Sequence, residues 1–578
     1  MKTGFHAIAL DYDGTLTEGD RPSTEVLDAL RAARQEGRRM ILVTGRILAE
    51  LREVFPEVDD EFDAIVAENG AVIATCDGVM EVVSPVATEL SRALAHRDIP
   101  VRSGRVIVAC DGAHETAVFE EVRRLGIDAQ LVRNRAALMV MPSGVTKATG
   151  LLEVLGELGV SSHCTLAVGD AENDLPLLDA CETGVAVANA VERLQERADL
   201  VLGEPDGRGV VELLRGPVVA GTQRVPVARR HLDLGRDVAG RSVRLPSSHV
   251  NLLVSGGSGA GKSYLVGMVV EQLAQQRYSV LVVDREGDHI GLGSRRGIVV
   301  LGGVPTPPPV EEVITLLGHR FGSVVLDLSL LGPVEQDAYV ATLLPSVLDL
   351  RRACGSPHWL VFDEAHAVMG ALDFGELTEP VPGGGSLFAT YRPQDLSAEV
   401  RAGLDAVIWL AGVGEGADDA IETVVSGLPG TSASVEITQE LGLGEAVLFD
   451  TQGGAPVTFQ LGERLADHIR HWHRYTDAEL PRERAFYFGM HGRDGIARNV
   501  REFHRGLRRI PEPILRGHAR RGDLSRWIEQ VLQARQLAAF VGRLEADLTL
   551  GSRPEPDVRA RLLTAIERHY LERLPRRS

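Results

Sequence analysis

Short apolar runs alternate with amphipathic stretches over roughly the first 215 positions, at Ala7 to Leu10, Met40 to Val43, Ala64 to Ala67, Leu166 to Val168 and Leu200 to Leu202. Runs of this length between helical stretches predict a parallel sheet covered by crossover helices. Inside that pattern, from about 82 to 145, lies a segment with its own rhythm: a helix near Ala87 to Ala95, a strand at Arg105 to Ala109, a helix near Glu115 to Leu125 and a strand at Ala137 to Met141. It reads as an inserted α/β cap. A second α/β pattern extends from 247 to about 475, with strands expected at Leu252 to Ser255, Ser279 to Asp284, Gly297 to Leu301, Ser323 to Leu328, Trp359 to Asp363, Ser386 to Thr390 and Ala406 to Leu410. Proline and glycine concentrate at Val304 to Pro309 and at Pro380 to Gly385, which predicts loops there. Residues 216 to 246, rich in arginine, valine and glycine, read as a linker or as the leading edge of the next domain. From 480 to 578 the pattern turns to arginine-rich helices, with Val500, Phe503, Leu507 and Ile510 at helical spacing, then Leu524, Trp527, Ile528 and Val531.

A chain of 578 residues exceeds what one core organises, so roughly three or four domains are expected. The net charge of -20 argues against broad attraction to nucleic acid or anionic lipid, although the segment after 480 carries roughly +9. Five cysteines, Cys76, Cys110, Cys164, Cys181 and Cys354, are scattered without a CxxC pair, the pattern of reduced thiols. The chain enters its first strand without a basic and apolar leader, and no apolar run approaches the roughly 20 residues that span a bilayer. The expectation is a cytoplasmic protein with no membrane partner.

Lysine changes the picture most. Only Lys2, Lys147 and Lys262 occur in the whole chain, almost all positive charge being arginine. Arginine replaces lysine freely on a solvated surface, but a wide planar fork does not replace a compact ammonium that must reach a phosphoryl group. Lys2 is a terminal residue without an expected role. Lys147 lies in Gly144-Val145-Thr146-Lys147 and Lys262 in Gly256-Gly257-Ser258-Gly259-Ala260-Gly261-Lys262-Ser263, so two separate phosphate-handling sites are expected.

The first strand is followed by Asp11-Tyr12-Asp13-Gly14-Thr15. Residues two apart on an extended strand end project to one side, so both carboxylates can face one pocket, one as nucleophile and the other as proton donor and acceptor. Two carboxylates beside a phosphate need a divalent cation, and hard oxygen ligands suit Mg²⁺. Further acids stand at Gly169-Asp170-Ala171-Glu172-Asn173-Asp174, and Val43-Thr44-Gly45-Arg46 places a hydroxyl at another strand end. All of these follow strands, where sites on open α/β sheets form. With these three segments and Lys147 in order, residues 5 to 215 resemble the haloacid dehalogenase superfamily of phosphatases, in the subfamily with a large α/β cap, and Glu68-Asn69-Gly70-Ala71 before the cap is typical of it. The cap is similar to that of phosphoglycolate and sugar-phosphate phosphatases. The resemblance implies Asp11 as nucleophile, Asp13 as general acid/base, Thr44 as a phosphate donor and Lys147 steadying phosphate and nucleophile. It also implies that Asp170 and Asp174 join Asp11 and the backbone carbonyl of Asp13 around Mg²⁺.

The second site is Gly256 to Ser263, a GxxxxGK[ST] loop between an expected strand and an expected helix, Tyr264 to Leu273. Its glycines let backbone N–H groups turn inward around phosphates, Lys262 reaches the β/γ oxygens of ATP and the Ser263 hydroxyl binds Mg²⁺. Trp359 to Glu364, an apolar strand ending in two acids, offers Asp363 for Mg²⁺ and Glu364 to polarise the attacking water. Asp284-Arg285-Glu286-Gly287-Asp288 and Ala389-Thr390-Tyr391-Arg392-Pro393 extend a resemblance to the HerA/FtsK group of ATPases, with Tyr391 where that group commonly has glutamine. The resemblance implies ring assembly, as a hexamer, by analogy. Few basic clusters argue against direct nucleic-acid binding.

The fold class expected is therefore α/β and multidomain: a Rossmann-like phosphatase core with inserted cap (1–215), a linker (216–246), a P-loop ATPase domain (247–475) and a small, mainly helical domain (480–578). In the last, Asp523 is expected to cap a helix, and a solvated basic face around His518, Arg520 and Arg521 is favoured over anion recognition. His468, His471 and His473 read as a surface helix rather than a metal site. The leading functional reading is an Mg²⁺-dependent phosphomonoesterase acting on a small phosphorylated metabolite through an aspartyl phosphate, fused to a domain that binds and hydrolyses ATP. Two competing readings are a ring-forming translocase or remodeller with an accessory phosphatase, and a nucleotide-gated scaffold.

Overall fold

The computed structural model describes residues 4–571 apart from 18, 20, 87, 135–136, 258–259, 320–321, 369–376, 378–383, 411–423, 425–440, 443, 451–454, 467–484, 490–494 and 533. The first sheet contains β1 (Ala7–Leu10), β2 (Arg39–Val43), β3 (Ala64–Ala67), β4 (Val72–Thr75) and β5 (Gly78–Glu81). The cap follows with β6 (Arg102–Ser103), β7 (Val108–Asp111), β8 (Ala129–Asn134) and β9 (Ala137–Pro142), and the chain then returns to the core as β10 (Thr165–Gly169), β11 (Thr183–Ala186) and β12 (Leu200–Val201). The core order is β12-β11-β10-β1-β2-β3-β4-β5, parallel as far as β3 and then antiparallel. Strands β1, β3, β10 and β11 are buried along their whole length, as expected for apolar strands covered on both faces by helices.

The strand expected at Arg105 to Ala109 begins only at Val108. The backbone N–H groups of Arg105, Val106 and Ile107 instead donate to the Glu68 carboxylate at 2.8, 2.8 and 3.1 Å. Those donors are thus withheld from a ladder, and the cap is tied to the core through one buried side chain.

The second sheet contains β13 (His231–Asp237), β14 (Ser242–Pro246), β15 (Val250–Ser255), β16 (Val280–Asp284), β17 (Ile298–Gly302), β18 (Ser323–Asp327), β19 (Trp359–Phe362), β20 (Gly385–Thr390), β21 (Ala406–Leu410), β22 (Glu445–Asp450) and β23 (Val457–Leu461). Its order is β14-β13-β23-β22-β21-β15-β20-β19-β16-β18-β17, parallel from β21 to β17 and antiparallel on the other side. Two of its strands lie in the stretch read as a linker, whose second half is sheet edge because Leu232, Leu234, Val243 and Leu245 alternate inward. The helices Val500–Arg509, Glu512–Arg521, Asp523–Gln530, Arg535–Leu550 and Glu555–Ile566 enclose a further core, against which Ile290 of the second sheet's helical turn packs. No described helix is long and apolar enough to cross a membrane.

The two sheets meet at the amino ends of their strands. Ser161 to Cys164 precede β10, and Glu182 precedes β11. Facing them are Ser247 and Ser248 ahead of β15, Tyr278 ahead of β16 and His358 ahead of β19. Ser161 N–H donates to the Cys354 carbonyl at 3.2 Å. The Ser279 N–H donates to His358 Nδ1 at 2.8 Å, which leaves Nε2 to donate to Ser161 Oγ at 2.7 Å. At the centre, the fully buried Glu182 carboxylate accepts the Tyr278 hydroxyl at 3.0 Å and lies 2.8 Å from His163 Nδ1, with Arg230 3.9 Å away. The His163 ring stacks on Tyr278, centroids 3.8 Å apart. Burial works against the Glu182 charge, but hydrogen bonding by His163 and the nearby Arg230 hold it well below the ordinary carboxylate range. Burial likewise drives the neighbouring His358 toward its neutral form.

Removing a partner from a buried charged cluster strands the remaining charge, whereas an exposed ion pair contributes little. Glu182→Ala is expected to lose about 3–5 kcal/mol of unfolding free energy in urea titration. Glu50→Ala, which breaks the exposed pair with Arg102, is expected to lose under about 1 kcal/mol.

Candidate functional site

Both groups of chemically competent residues stand at the opposite, carboxyl ends of the strands. In the first domain Asp11 follows β1, Thr44 follows β2 and Asp170 follows β10. Lys147 opens the helix Lys147–Glu157, whose start is fixed by a capping box between Thr146 and Thr149. That fixed start delivers the ammonium into the pocket, where it donates to Asp11 Oδ1 and, at 2.6 Å, to Asp174 Oδ1. Asp174 Oδ2 accepts the Asp170 and Ala171 N–H groups at 3.1 and 3.0 Å. Carboxylate oxygens of Asp11, Asp170 and Asp174 all lie within 4.8 Å of one another, and the three side chains are buried.

Three buried carboxylates face one ammonium, so the pocket is short of positive charge. Burial raises the Asp11 pKa well above the ordinary value; Asp174 and Asp170 push it further and Lys147 opposes them. Burial also works against the Lys147 charge, but Asp11 and Asp174 hold its pKa above the usual lysine value. A divalent cation with hard-oxygen preference would supply the missing charge and keep Asp11 ionised, so the donor set fits Mg²⁺.

The Asp13 carboxylate does not join this cluster. It takes a bidentate grip from Arg46, with Nε at 2.9 Å and Nη2 at 2.6 Å, and the Arg46 guanidinium sits 5.0 Å from the Tyr12 ring centroid. Thr44, fully buried, accepts the Arg46 N–H on its hydroxyl at 3.1 Å. Sequence reasoning quoted Arg46 and Glu68 without assigning their side chains a role; Arg46 sits two positions after Thr44, close enough to share its pocket. Behind them Glu68 and Asn69 adopt left-handed φ of 52° and 56°, a conformation that costs non-glycine residues energy and reverses the chain from β3 into the antiparallel β4. Gly70, at φ 106°, has no room for a Cβ, which would meet the Thr146 carbonyl oxygen at 1.9 Å.

In the second domain, Gly256 and Gly257 follow β15, while Lys262 and Ser263 open the helix Lys262–Gln275, with Gly261 at φ 105° and Ala260 buried just before it. Ser258 and Gly259 lie outside the described residues. Lys262 Nζ donates to the Gly256 and Gly257 carbonyls at 3.1 and 3.0 Å, so the ammonium is drawn over its own loop. Asp363 and Glu364 follow β19, two strands from β15, and His289 Nε2 lies 2.8 Å from Asp363 Oδ2. Asp284 is engaged by the Gly287, Asp288 and His289 N–H groups at 2.8, 3.1 and 2.8 Å, which shapes the turn carrying His289. Burial, with Asp363 next, raises the Glu364 pKa to about 7. Sequence reasoning missed His289, since nothing in the linear spacing links it to Asp363. Tyr391 is partly exposed, with the Arg392 guanidinium 5.1 Å from its ring.

In the helical region, Gly522 rather than Asp523 is the N-cap of the helix Asp523–Gln530. The Asp523 carboxylate instead faces His518 Nδ1 at 2.8 Å and accepts Arg521 Nε at 2.8 Å, so both side chains are committed within the domain, and His518 is buried rather than part of a solvated basic face. Trp527 is in the core. His468, His471 and His473 lie outside the described residues.

The haloacid dehalogenase-like hydrolase family model matches residues 8–94 and 106–214, and the model for the central domain of the helicase HerA matches 243–340. The phosphoglycolate phosphatase of Archaeoglobus fulgidus is 35% identical over 220 residues, covering 36% of this chain and 95% of the relative. That of Methanothermobacter thermautotrophicus is 32% identical over 220 residues, covering 36% and 98%. A solved haloacid dehalogenase-like hydrolase from Bacteroides thetaiotaomicron is 23% identical, covers 36% of this chain and 98% of its own, and gives a TM-score of 0.32. The chain belongs to the haloacid dehalogenase-like hydrolases. It is a phosphoric monoester hydrolase fused to a HerA-like P-loop ATPase, with Mg²⁺ and ATP as cofactors.

Because Lys147 is the cation joining two of the three carboxylates, Lys147→Met is expected to lower phosphate release from p-nitrophenyl phosphate by on the order of 10²- to 10³-fold. Lys147→Arg is expected to fail to restore it, since a planar fork does not fit the space of a point charge.

Proposed function

We propose that the first domain hydrolyses a small phosphorylated carboxylic acid of the 2-phosphoglycolate type, with Asp11 attacking phosphorus. The observation that carries this reading is the buried Asp11–Lys147–Asp174 arrangement beside Asp170 at adjacent strand ends. Lys147 holds Asp11 in one rotamer and presents positive charge to the phosphoryl oxygens, which favours the transition state. Thr44 contributes a hydroxyl donor from the end of β2. Asp13 protonates the leaving oxygen and afterwards takes the proton from the water that opens the aspartyl phosphate. Asp11, Asp170 and Asp174, with the Asp13 carbonyl, would hold Mg²⁺, which neutralises phosphate charge when bound. The relatives' printed activity, phosphoglycolate phosphatase, supports the substrate class.

In the second domain Gly256 to Ser263 wrap the nucleotide phosphates, Ser263 and Asp363 would hold its Mg²⁺ and Glu364 polarises water. The five cysteines, none in a disulfide, support a cytoplasmic setting, and the two sheets and the separate helical core support a division into a phosphatase, an ATPase and a helical domain, with the ATPase sheet starting at β13 rather than at residue 247. The HerA likeness supports ring assembly, for which sedimentation with ATP should register a mass about six times that of one chain.

Asp11→Asn is expected to abolish phosphate release from 2-phosphoglycolate while leaving ATP hydrolysis intact, and Lys262→Ala the reverse. Loss of both activities in either variant would contradict two independent centres.

A further inference from the structure

The arginine fork on Asp13 has a chemical consequence. A carboxylate that must pass a proton to the leaving oxygen is here occupied on both oxygens by Arg46, and the same guanidinium is confined between the Asp13 side chain and the Tyr12 ring. Both groups remain reachable, their side chains being 32% and 22% exposed for Asp13 and Arg46, whereas Lys147 is 1% exposed. The backbone of Arg46 is fixed from two sides, its N–H on the Thr44 hydroxyl and its carbonyl accepting the Glu68 N–H at 3.0 Å. Arg46 thus stands one hydrogen bond from the carboxylate read above as the proton donor.

Resting on the reading of Asp13 as the proton donor, we propose that Arg46 is a specificity-determining residue that exchanges Asp13 for a carboxylate on the substrate's leaving group. An arginine fork binds either carboxylate with the same two parallel bonds, so the exchange conserves hydrogen bonds and frees Asp13 only when the substrate brings its own anion. The ligand class this selects is a compact phosphomonoester with a carboxylate two or three bonds from the ester oxygen. A neutral alkyl phosphate of the same length leaves Arg46 on Asp13 and is turned over poorly.

The test compares 2-phosphoglycolate with ethyl phosphate, which matches its length but lacks the carboxylate, on the full chain with Mg²⁺. Wild type should prefer 2-phosphoglycolate, and in Arg46→Met the ratio of the two kcat/KM values should fall by about 10- to 100-fold, mainly through KM for the acid. Arg46→Lys should keep part of the preference as a point charge. The ratio cancels any general loss of folded protein, so a ratio within about threefold of wild type overturns the proposal. In the Asp11→Asn background, calorimetry should show Arg46→Met weakening 2-phosphoglycolate by about tenfold or more while ethyl phosphate changes less; equal weakening of both also overturns it. Hydrolysis surviving Asp11→Asn would sink the aspartyl-phosphate reading instead, leaving the binding comparison to decide the role of Arg46.

Discussion

Glu182 keeps its charge in a place without water, and the relation between the two sheets rests on how it does so. A lone carboxylate at that depth would cost several kcal/mol and shed its charge. Here a tyrosine and a serine from the second domain, a histidine from the first and an arginine from the segment between them converge on it. Because the donors come from the ends of strands and from the loops just before them, satisfying that one group aligns β10 and β11 against β15, β16 and β19. Arg229 reinforces the joint by donating to the Cys181 and Glu182 carbonyls at 2.7 and 2.6 Å while pairing with Asp199. Two folds that could each bury a core alone thus share a polar seam.

The phosphatase pocket applies the same electrostatic logic with the opposite balance. At the seam the Glu182 charge is matched by Arg230 and engaged by Tyr278 and His163, a structural solution. In the pocket, acids outnumber the cation and Asp11 is driven away from its charged form until positive charge arrives. The deficit marks the pocket as a place to bind something, and the seam's surplus of partners marks it as a place that stays closed.

Much of this was legible in the sequence because the chemistry sits next to strand ends. The apolar runs at Ala7 and Met40 announce strands, and acids or hydroxyls directly after them announce a pocket. The rarity of lysine singled out Lys147 and Lys262 before any fold was known. What stayed hidden depends on side chains meeting across long separations. Glu68 withholding Arg105 to Ile107 from the ladder, Arg46 taking Asp13 and His289 finding Asp363 leave no periodic trace. The antiparallel strands β13, β14, β22 and β23 were obscured for another reason: two lie in an arginine-rich stretch resembling a tether, and the other two follow the alternation of parallel strands and helices that marks the rest of the sheet.

Parallel strands have direction, and the two sheets are joined foot to foot. Each reactive mouth therefore lies at the far end of its strands from that joint, about 17 Å away along a five-residue strand. No intermediate can be handed from one mouth to the other; whatever leaves the ATPase reaches the phosphatase only by way of bulk solvent. If one centre senses the state of the other, the message is mechanical, a shift along stiff strands such as β19 and β10 that end in Asp363 and Asp170.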